Sequence, residues 1–95
     1  MSATAYPIAK FRLGRIVSTA NALSQLTQED ILLGIQRHQA GDWGDVDEHD
    51  RAENEFSLSR GLRLFSVYRS TKGVKFWVIT EADRSSTAVS LPQDY

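Results

Sequence analysis

The most chemically varied stretch of the chain is residues 81–87, EADRSST, which carries two carboxylates, one guanidinium and three hydroxyls. Such groups at the end of a strand can bind a ligand or transfer protons, and loops at strand ends often carry sites of this kind. Asp and Ser also bind their own backbone in turns, which explains most of these residue types without a ligand. The polar turn cluster, Glu81, Asp83, Arg84 and Ser85, is therefore a candidate site, with a structural turn as the favoured interpretation.

A second combination of residues could cleave RNA. Arg69, Lys75 and Arg84 could hold a phosphate while Glu81 acts as general acid or base. In architecture, a small helix-then-sheet domain with these cations resembles the barnase-like and RelE-like ribonuclease toxins. Those toxins tend to be clearly basic, whereas this chain has a formal net charge of −1. A ribonuclease therefore stays an alternative hypothesis, and we predict no catalytic residues.

The chain offers little for metal or cofactor chemistry. It has no cysteine, which excludes disulfides, cysteine-ligated zinc and thiol catalysis. His38 is expected at the edge of a helical core and His49 at the surface. The acids near His49 lack the glycine and the terminal Glu of a calcium-binding loop, and no phosphate-binding glycine loop, nucleophile elbow or HExxH motif occurs. We predict no metal and no cofactor.

Length and composition fit one domain over residues 1–95, with residues 1–6 as a disordered tail. Of the 95 residues, 41% are hydrophobic and 24% are charged. The near-neutral balance argues against direct nucleic-acid binding, which usually needs a strongly basic face. No apolar run approaches the ~18 residues of a membrane span, and no signal-peptide core is present. We therefore expect no membrane contact and a cytoplasmic location.

Six of the eleven residues from 45 to 55 are acidic and one, Arg51, is basic. A helix capped by Asp47 and ended by Gly61 would place these acids in its first turns, where the helix dipole favours them, and would bury Phe56. Alternatively, the acids form a surface that docks on a basic partner or mimics nucleic-acid phosphate. The acidic partner-binding candidates are Asp45, Asp47, Glu48, Asp50, Glu53 and Glu55.

Residues 28–40 form the best-specified helix. Thr27 and Asp30 resemble a capping box at its start, and Gly41 follows its end. A shorter helical turn is expected over residues 20–26. The turn would place Leu23 and Leu26 on one side, and the helix would carry one stripe made of Ile31, Leu32, Ile35 and then His38 or Gln39.

Three β-rich runs, residues 62–68, 74–79 and 87–91, predict a C-terminal antiparallel meander. Apolar side chains alternate onto both faces of the first two runs. Helices on one face would leave the other to be covered by a first strand, a partner or a second copy of the chain. The partner-binding candidates on that face are Phe65, Val67, Trp77 and Ile79. The fold class is α+β, with two or three short helices packed on a three- to four-stranded antiparallel sheet.

Several motifs resemble those of a known small family. They are GDWG at residues 41–44, WVITEADRSST at 77–87, the Leu91-Pro92 tail ending in Tyr95, LGRIVST at 13–19 and Arg37-His38. On these motifs the chain resembles the "plasmid-related proteins" carried on bacterial plasmids, phages and integrative elements. Some members are labelled as the methylation subunit of a restriction enzyme, but 95 residues without a cofactor-binding glycine motif cannot hold a methyltransferase. The resemblance implies a mobile-element gene with no established activity and carries over no catalytic residues.

The leading functional hypothesis is a non-enzymatic protein-binding module of a mobile element, which inhibits a host defence complex of the CRISPR or restriction type. The acidic segment, the apolar second face and the resemblance motivate it. The alternatives are the small ribonuclease toxin and a homodimeric accessory protein whose apolar face is its own interface. The expected partner is a protein, either a defence complex or a second copy.

Overall fold

A four-stranded mixed sheet with helices packed against it forms the fold, as the computed structural model shows for the described residues 9–94. The tail predicted at residues 1–6 lies outside them. The elements in chain order are β1 (Arg15–Ser18), α1 (Ala20–Gln25), α2 (Gln28–Gln39), α3 (Glu48–Arg60), β2 (Leu64–Arg69), β3 (Lys75–Thr80), β4 (Ser86–Ser90) and a short 3-10 turn, Pro92–Asp94. The predicted α+β class and the C-terminal meander are confirmed.

The strands lie in the order β1-β4-β3-β2. β2 pairs antiparallel with β3 and β3 with β4, whereas β1 lies parallel to β4. The expectation of a purely antiparallel sheet is therefore wrong for β1. The helices explain the difference, because they return the chain to the end of the sheet where β1 began, so that β1, β2 and β4 all run in one direction.

Helix α1 begins at an N-cap, Thr19, whose hydroxyl accepts a hydrogen bond from Ala22 N. Leu26 is buried whereas Leu23 is 61% exposed, so the prediction that the two leucines lie on one side of the turn is wrong. The backbone at Leu26 is already extended, so a spacing of three residues does not place the two leucines on one side. Ala22 is the side chain that α1 buries instead.

Helix α2 begins with the predicted capping box. Thr27 Oγ1 accepts from Asp30 N at 3.0 Å, and Asp30 Oδ2 accepts from Thr27 N at 3.1 Å. Ile35 and His38 are buried, but Leu32 is 57% exposed, which contradicts its place in the predicted stripe. The helix turns by about 100° per residue, which carries Leu32 away from the side that Ile35 and His38 share.

Helix α3 has the predicted ends. Asp47 caps its start by accepting from Asp50 N, and Gly61 ends it in the left-handed conformation with φ 68°. The prediction for its buried side is wrong, because Phe56 is 49% exposed and the buried residues are Asn54 and Ser57. Polar side chains face inward because this helix runs beside the outer edge of β2, where backbone groups need hydrogen-bond partners.

The main core lies between the first two helices and one face of the sheet, which we call the first face. Its buried cluster comprises Ala22, Leu26 and Ile35 from the helical region and Tyr68, Phe76, Val78, Val89 and Leu91 from the sheet and the residue after it. Burial of such aliphatic and aromatic side chains contributes about 1.5–3 kcal/mol each. The helices are therefore held mainly on the first face.

The second face carries Phe65, Val67, Trp77 and Ile79, as the alternation predicted. Val67 and Ile79 are only 7% and 5% exposed, and Phe65 and Trp77 are partly buried. The rings of Phe65 and Trp77 meet edge to face with their centroids 5.3 Å apart, a favourable aromatic geometry. Neighbours within one chain thus already shield much of the apolar area that the sequence left uncovered.

Candidate functional site

The outer edge of β2 is covered by the segment that leads into α3 and by α3 itself. Phe65 N donates to Asn54 Oδ1 at 3.0 Å, and Asn54 Nδ2 donates to Phe65 O at 2.6 Å. Two residues along, Val67 N donates to Trp43 O at 3.1 Å and Asp45 N donates to Val67 O at 2.7 Å. An edge strand otherwise presents such groups to solvent or to another chain. The acidic segment is therefore fixed to the sheet through backbone hydrogen bonds.

All six predicted acidic candidates lie at the surface of this segment. Asp45, Asp47, Glu48, Glu53 and Glu55 are exposed and Asp50 is partly buried. Arg69 Nε is 3.6 Å from the carboxylate of Asp45, and Arg51 Nε is 3.9 Å from that of Glu48. Exposed pairs at these distances are weak. The segment consequently keeps an acidic surface.

The structure brings the acidic segment and the second face together. Phe65 and Val67, two of the apolar candidates, belong to the strand whose outer backbone is bonded to Asn54 and Asp45. Acidic side chains therefore border one side of an apolar sheet face. We call this combined area the β2-edge surface. The sequence predicts both halves of it but not their contact.

Trp43 anchors the loop before α3. Its side chain is 0% exposed, its ring stacks on Phe11 with centroids 6.3 Å apart, and it meets His38 edge-on at 5.7 Å. Trp43 Nε1 donates to Glu55 Oε2 at 2.8 Å, so one of the acidic candidates also holds the indole in place. The loop is thereby locked to the core, which keeps the acidic segment rigid.

A chain of buried polar side chains crosses the first face. His38 Nδ1 lies 2.6 Å from Ser66 Oγ and His38 Nε2 lies 2.8 Å from Thr80 Oγ1. Thr80 Oγ1 is 2.7 Å from Thr87 Oγ1, which donates to Leu13 O at 2.8 Å. The sequence analysis missed this chain, although hydroxyl residues among the apolar ones on one face of three strands were a readable signal.

The carbonyl at the end of this chain sets the proton positions. Leu13 O can only accept, so Thr87 donates to it and accepts from Thr80. Thr80 therefore accepts from His38 Nε2–H, and Nδ1 accepts the hydroxyl proton of Ser66. The imidazole is neutral, with its proton on Nε2, and the hydroxyls of Ser66, Thr80 and Thr87 each have a hydrogen-bond partner.

This geometry argues against catalysis by His38. Burial, and then the charge of Arg84, lowers the pKa of His38 from 6.5 to about 3. Ser66 and His38 form a hydroxyl–imidazole pair, but both side chains are 0% exposed, so no substrate atom reaches them. His38 is fully buried rather than at the edge of the core, where the sequence placed it, and it acts as a structural group.

The polar turn cluster is organised by Arg84. Its backbone is left-handed with φ 61°, and its guanidinium donates to four backbone carbonyl oxygens. These belong to Leu62 at 2.6 Å, Glu81 at 3.1 Å, Ala82 at 3.2 Å and Ser57 at 3.2 Å. Asp83 accepts from Ser85 N at 3.0 Å, and hydrogen bonds from Ser85 lower the pKa of the Asp83 carboxyl. The cluster thus joins the β3–β4 turn to the end of α3.

The four residues of the ribonuclease hypothesis do not converge. Arg69 and Lys75 are paired opposite each other at the hairpin end of β2 and β3, whereas Glu81 and Arg84 follow the other end of β3. The six residue-to-residue steps from Lys75 to Glu81 span about 20 Å in an extended strand. Glu81 instead faces Arg63, with 3.3 Å between Oε1 and Nη2. A single phosphate cannot contact all four residues.

A comparison with protein-family models, with curated proteins and with solved structures gave no match. Within residues 9–94, no group of three or more His, Cys, Asp or Glu side chains is arranged to hold a metal ion. None of the helices in this range has both the length and the apolar composition that crossing a bilayer requires.

Proposed function

We propose that this protein is a non-enzymatic protein-binding module that docks on a partner through the β2-edge surface. The observation that carries the proposal is the junction at β2, where Asn54 and Asp45 hold the acidic segment against the backbone of Phe65 and Val67. A rigid surface loses little conformational freedom when it binds, which favours affinity.

The charge of this surface selects the kind of partner. Six acids against one basic residue in the segment 45–55 favour a partner with a basic rim. The partly exposed ring of the neighbouring Phe65 favours an apolar contact on that partner. Complementary charge of this kind raises the association rate, and this increase in rate becomes smaller as the salt concentration rises.

We further propose that the partner is a host defence complex and that the protein acts for a mobile element. The resemblance to plasmid-related proteins supports the mobile-element origin. Defence complexes that bind nucleic acid carry basic surfaces, and an acidic module can compete for such a surface.

Phage plating on strains that each carry one defence system, with and without this protein, tests the proposal. We expect plating to rise in at least one strain and the double variant Glu48→Lys/Glu53→Lys to abolish that rise. Glu29→Lys, which reverses an exposed acid on α2 rather than α3, is the matched control and should leave the rise intact. Unchanged plating in every strain, with the folded protein present, would refute the proposal.

A homodimeric accessory protein is the second candidate. The observation that favours it is β1, an edge strand that exposes 49% of Ile16 and 43% of Val17. Exposed β-branched residues on an edge strand favour pairing with another chain. Light scattering over a range of concentrations should show a dimer that Val17→Lys dissociates. A monomer at all concentrations rejects this candidate.

A further inference from the structure

Strand β1 presents backbone groups that no strand within residues 9–94 uses. It is an edge strand whose one neighbour is β4. Arg15 N and Thr19 N each donate at 3.0 Å to a carbonyl oxygen within or just before β4. Because successive residues of a strand direct their backbone groups to opposite sides, those of Ile16 and Ser18 point away from the sheet. Two N–H and two C=O groups are therefore open to another strand.

The side chains of β1 are suited to burial by such a strand. Ile16 and Val17 are 49% and 43% exposed, and they lie on opposite faces of the sheet. Val17 is in register with Ala88, which is in register with Ile79. The apolar row of the second face therefore ends at Val17, and a strand added beside β1 would continue it.

The two ends of this edge carry opposite charges that are not in ion pairs. Arg15 is exposed, and among the described residues neither it nor Asp94 belongs to an ion pair. Asp94 Oδ2 accepts from Thr19 Oγ1 at 2.6 Å and from Leu91 N at 2.8 Å, and its Oδ1 accepts from Asn21 Nδ2 at 2.7 Å. A carboxylate has about four acceptor positions, so one more donor can bind.

The cation and the anion are too far apart to pair within one chain. Thr19, which holds Asp94, is four residues beyond Arg15, or about 13 Å along an extended strand. The backbone of Thr19 is itself extended, with φ −71° and ψ 159°, so its side chain lies on the same face as that of Arg15. An antiparallel copy of the same edge would bring each charge to the opposite one.

The backbone groups select one register for such a copy. If Ile16 lies opposite Ser18 of the second copy, all the outward groups of both strands pair in four hydrogen bonds, and Val17 lies on the two-fold axis. An axis at Ile16 would place Ser18 opposite Gly14, whose left-handed φ of 65° departs from a strand. An axis at Ser18 would place Ile16 opposite Ala20, which belongs to α1.

We propose that two copies of this chain pair antiparallel through β1 about a two-fold axis at Val17, with Arg15 of each copy contacting Asp94 of the other. In this register Arg15 lies directly opposite Thr19 of the second copy, whose hydroxyl is bound to Asp94. A strand of another protein would have to supply its own acid and base at these positions, whereas this chain carries both. The inference rests on the second candidate function, self-association, and specifies how the copies meet.

Single cysteines test the register, because the natural chain contains none. Val17→Cys should form a disulfide-linked dimer under mild oxidation, since the Cα atoms of the central pair would lie about 4.5 Å apart. Ile16→Cys is the matched control at a similarly exposed position. Its two copies would lie about 7–8 Å apart across the strands, beyond the reach of a disulfide, so it should stay monomeric on a non-reducing gel.

The dimer dissociation constant, measured by light scattering over a range of concentrations, tests the ion pair. Arg15→Gln should raise it about fivefold, because two exposed ion pairs are lost and fivefold corresponds to ~1 kcal/mol. In the background of Asp94→Asn, which removes the opposite charge, the same substitution should change it little. Arg12→Gln removes an exposed cation that precedes β1 and should leave the constant unchanged.

Equal cross-linking of the two cysteine variants, or equal effects of Arg15→Gln and Arg12→Gln, would overturn the proposal. A dimer in which Val17→Cys forms no disulfide also overturns it, but leaves the homodimer candidate standing with another interface. A monomer at all concentrations rejects both. Docking through the β2-edge surface is judged separately, by plating.

Discussion

Acid should destabilise the folded chain through His38 well before its carboxylates protonate. The pKa of this imidazole is about 3 in the fold and 6.5 when it is free. A folded pKa below the unfolded one means that the stabilisation is complete above pH 6.5 and is lost as the pH falls toward 3. Over most of that window the free energy of unfolding should decrease by ~1.4 kcal/mol per pH unit.

The magnitude at one convenient pH follows from linkage. At about pH 5 the unfolded chain is almost fully protonated at His38 while the folded chain is neutral there, so the loss relative to about pH 7.5 is ~2 kcal/mol. A hydrogen bond from Arg37 lowers the pKa of Asp42, and one from Thr19 lowers the pKa of Asp94. The stability that these carboxylates contribute is lost only at lower pH. The interval from about pH 7.5 to about pH 5 therefore isolates the histidine.

Urea unfolding followed by tryptophan fluorescence at several pH values measures this loss. His38→Gln removes the titrating group and should flatten the dependence over that interval, whatever its effect on absolute stability. His49→Gln, at an exposed position, is the matched control and should retain the wild-type slope. A wild-type stability that does not change across the interval would refute the reasoning, as would an equal slope in the His38 variant.

The tautomer provides a check that does not depend on any variant. The direction of the hydrogen bonds requires a proton on Nε2 and a lone pair on Nδ1 of His38. Nitrogen chemical shifts of the imidazole should report this neutral tautomer at about pH 5, where a free histidine is mostly charged. A charged ring at that pH would contradict the buried chain of hydroxyls.

Two other side chains should matter for stability in ways that their polar character conceals. Asn54→Ala removes both hydrogen bonds to the outer backbone of β2 and should lower the free energy of unfolding by about 2 kcal/mol in urea titrations. The control, Glu53→Ala on the same helix, should change it little. Equal effects of the two substitutions would show that the hydrogen bonds of Asn54 to the edge strand contribute nothing to stability. Arg84→Ala should lower the free energy of unfolding by about 2 kcal/mol, because four backbone carbonyls lose their hydrogen-bond donor. Arg84→Lys should restore only part of this stability, because the single ammonium group of lysine cannot reach all four carbonyl oxygens. An unchanged thermal midpoint in Arg84→Ala would contradict this account.

The ends of the helices could be predicted because they depend on neighbouring residues. Thr27 with Asp30 and Asp47 with Asp50 satisfy backbone N–H groups within one turn, and Gly61 provides the left-handed end. The hairpin and the antiparallel meander followed from equally local signals. Such features need no knowledge of the rest of the fold.

The features that the sequence did not predict depend on contacts between distant segments. Asn54 faces inward because β2 is an edge strand, and the parallel course of β1 depends on the combined path of the helices. His38 is buried with both ring nitrogens bonded to hydroxyls of two different strands, Ser66 and Thr80, and no spacing along one segment indicates such a meeting. The acidic half of the β2-edge surface was readable from composition, whereas its junction with Phe65 was not, because it requires the position of α3.

The covering of β2 limits how copies of this chain can assemble. A sheet with two open margins can add subunits without end and grow into a fibre. Here Asn54 and the Trp43–Asp45 backbone occupy one margin, so within residues 9–94 a neighbouring strand can be added only at β1. If two copies paired through β1, neither copy would have a free sheet edge left, so self-association through the sheet would stop at a dimer.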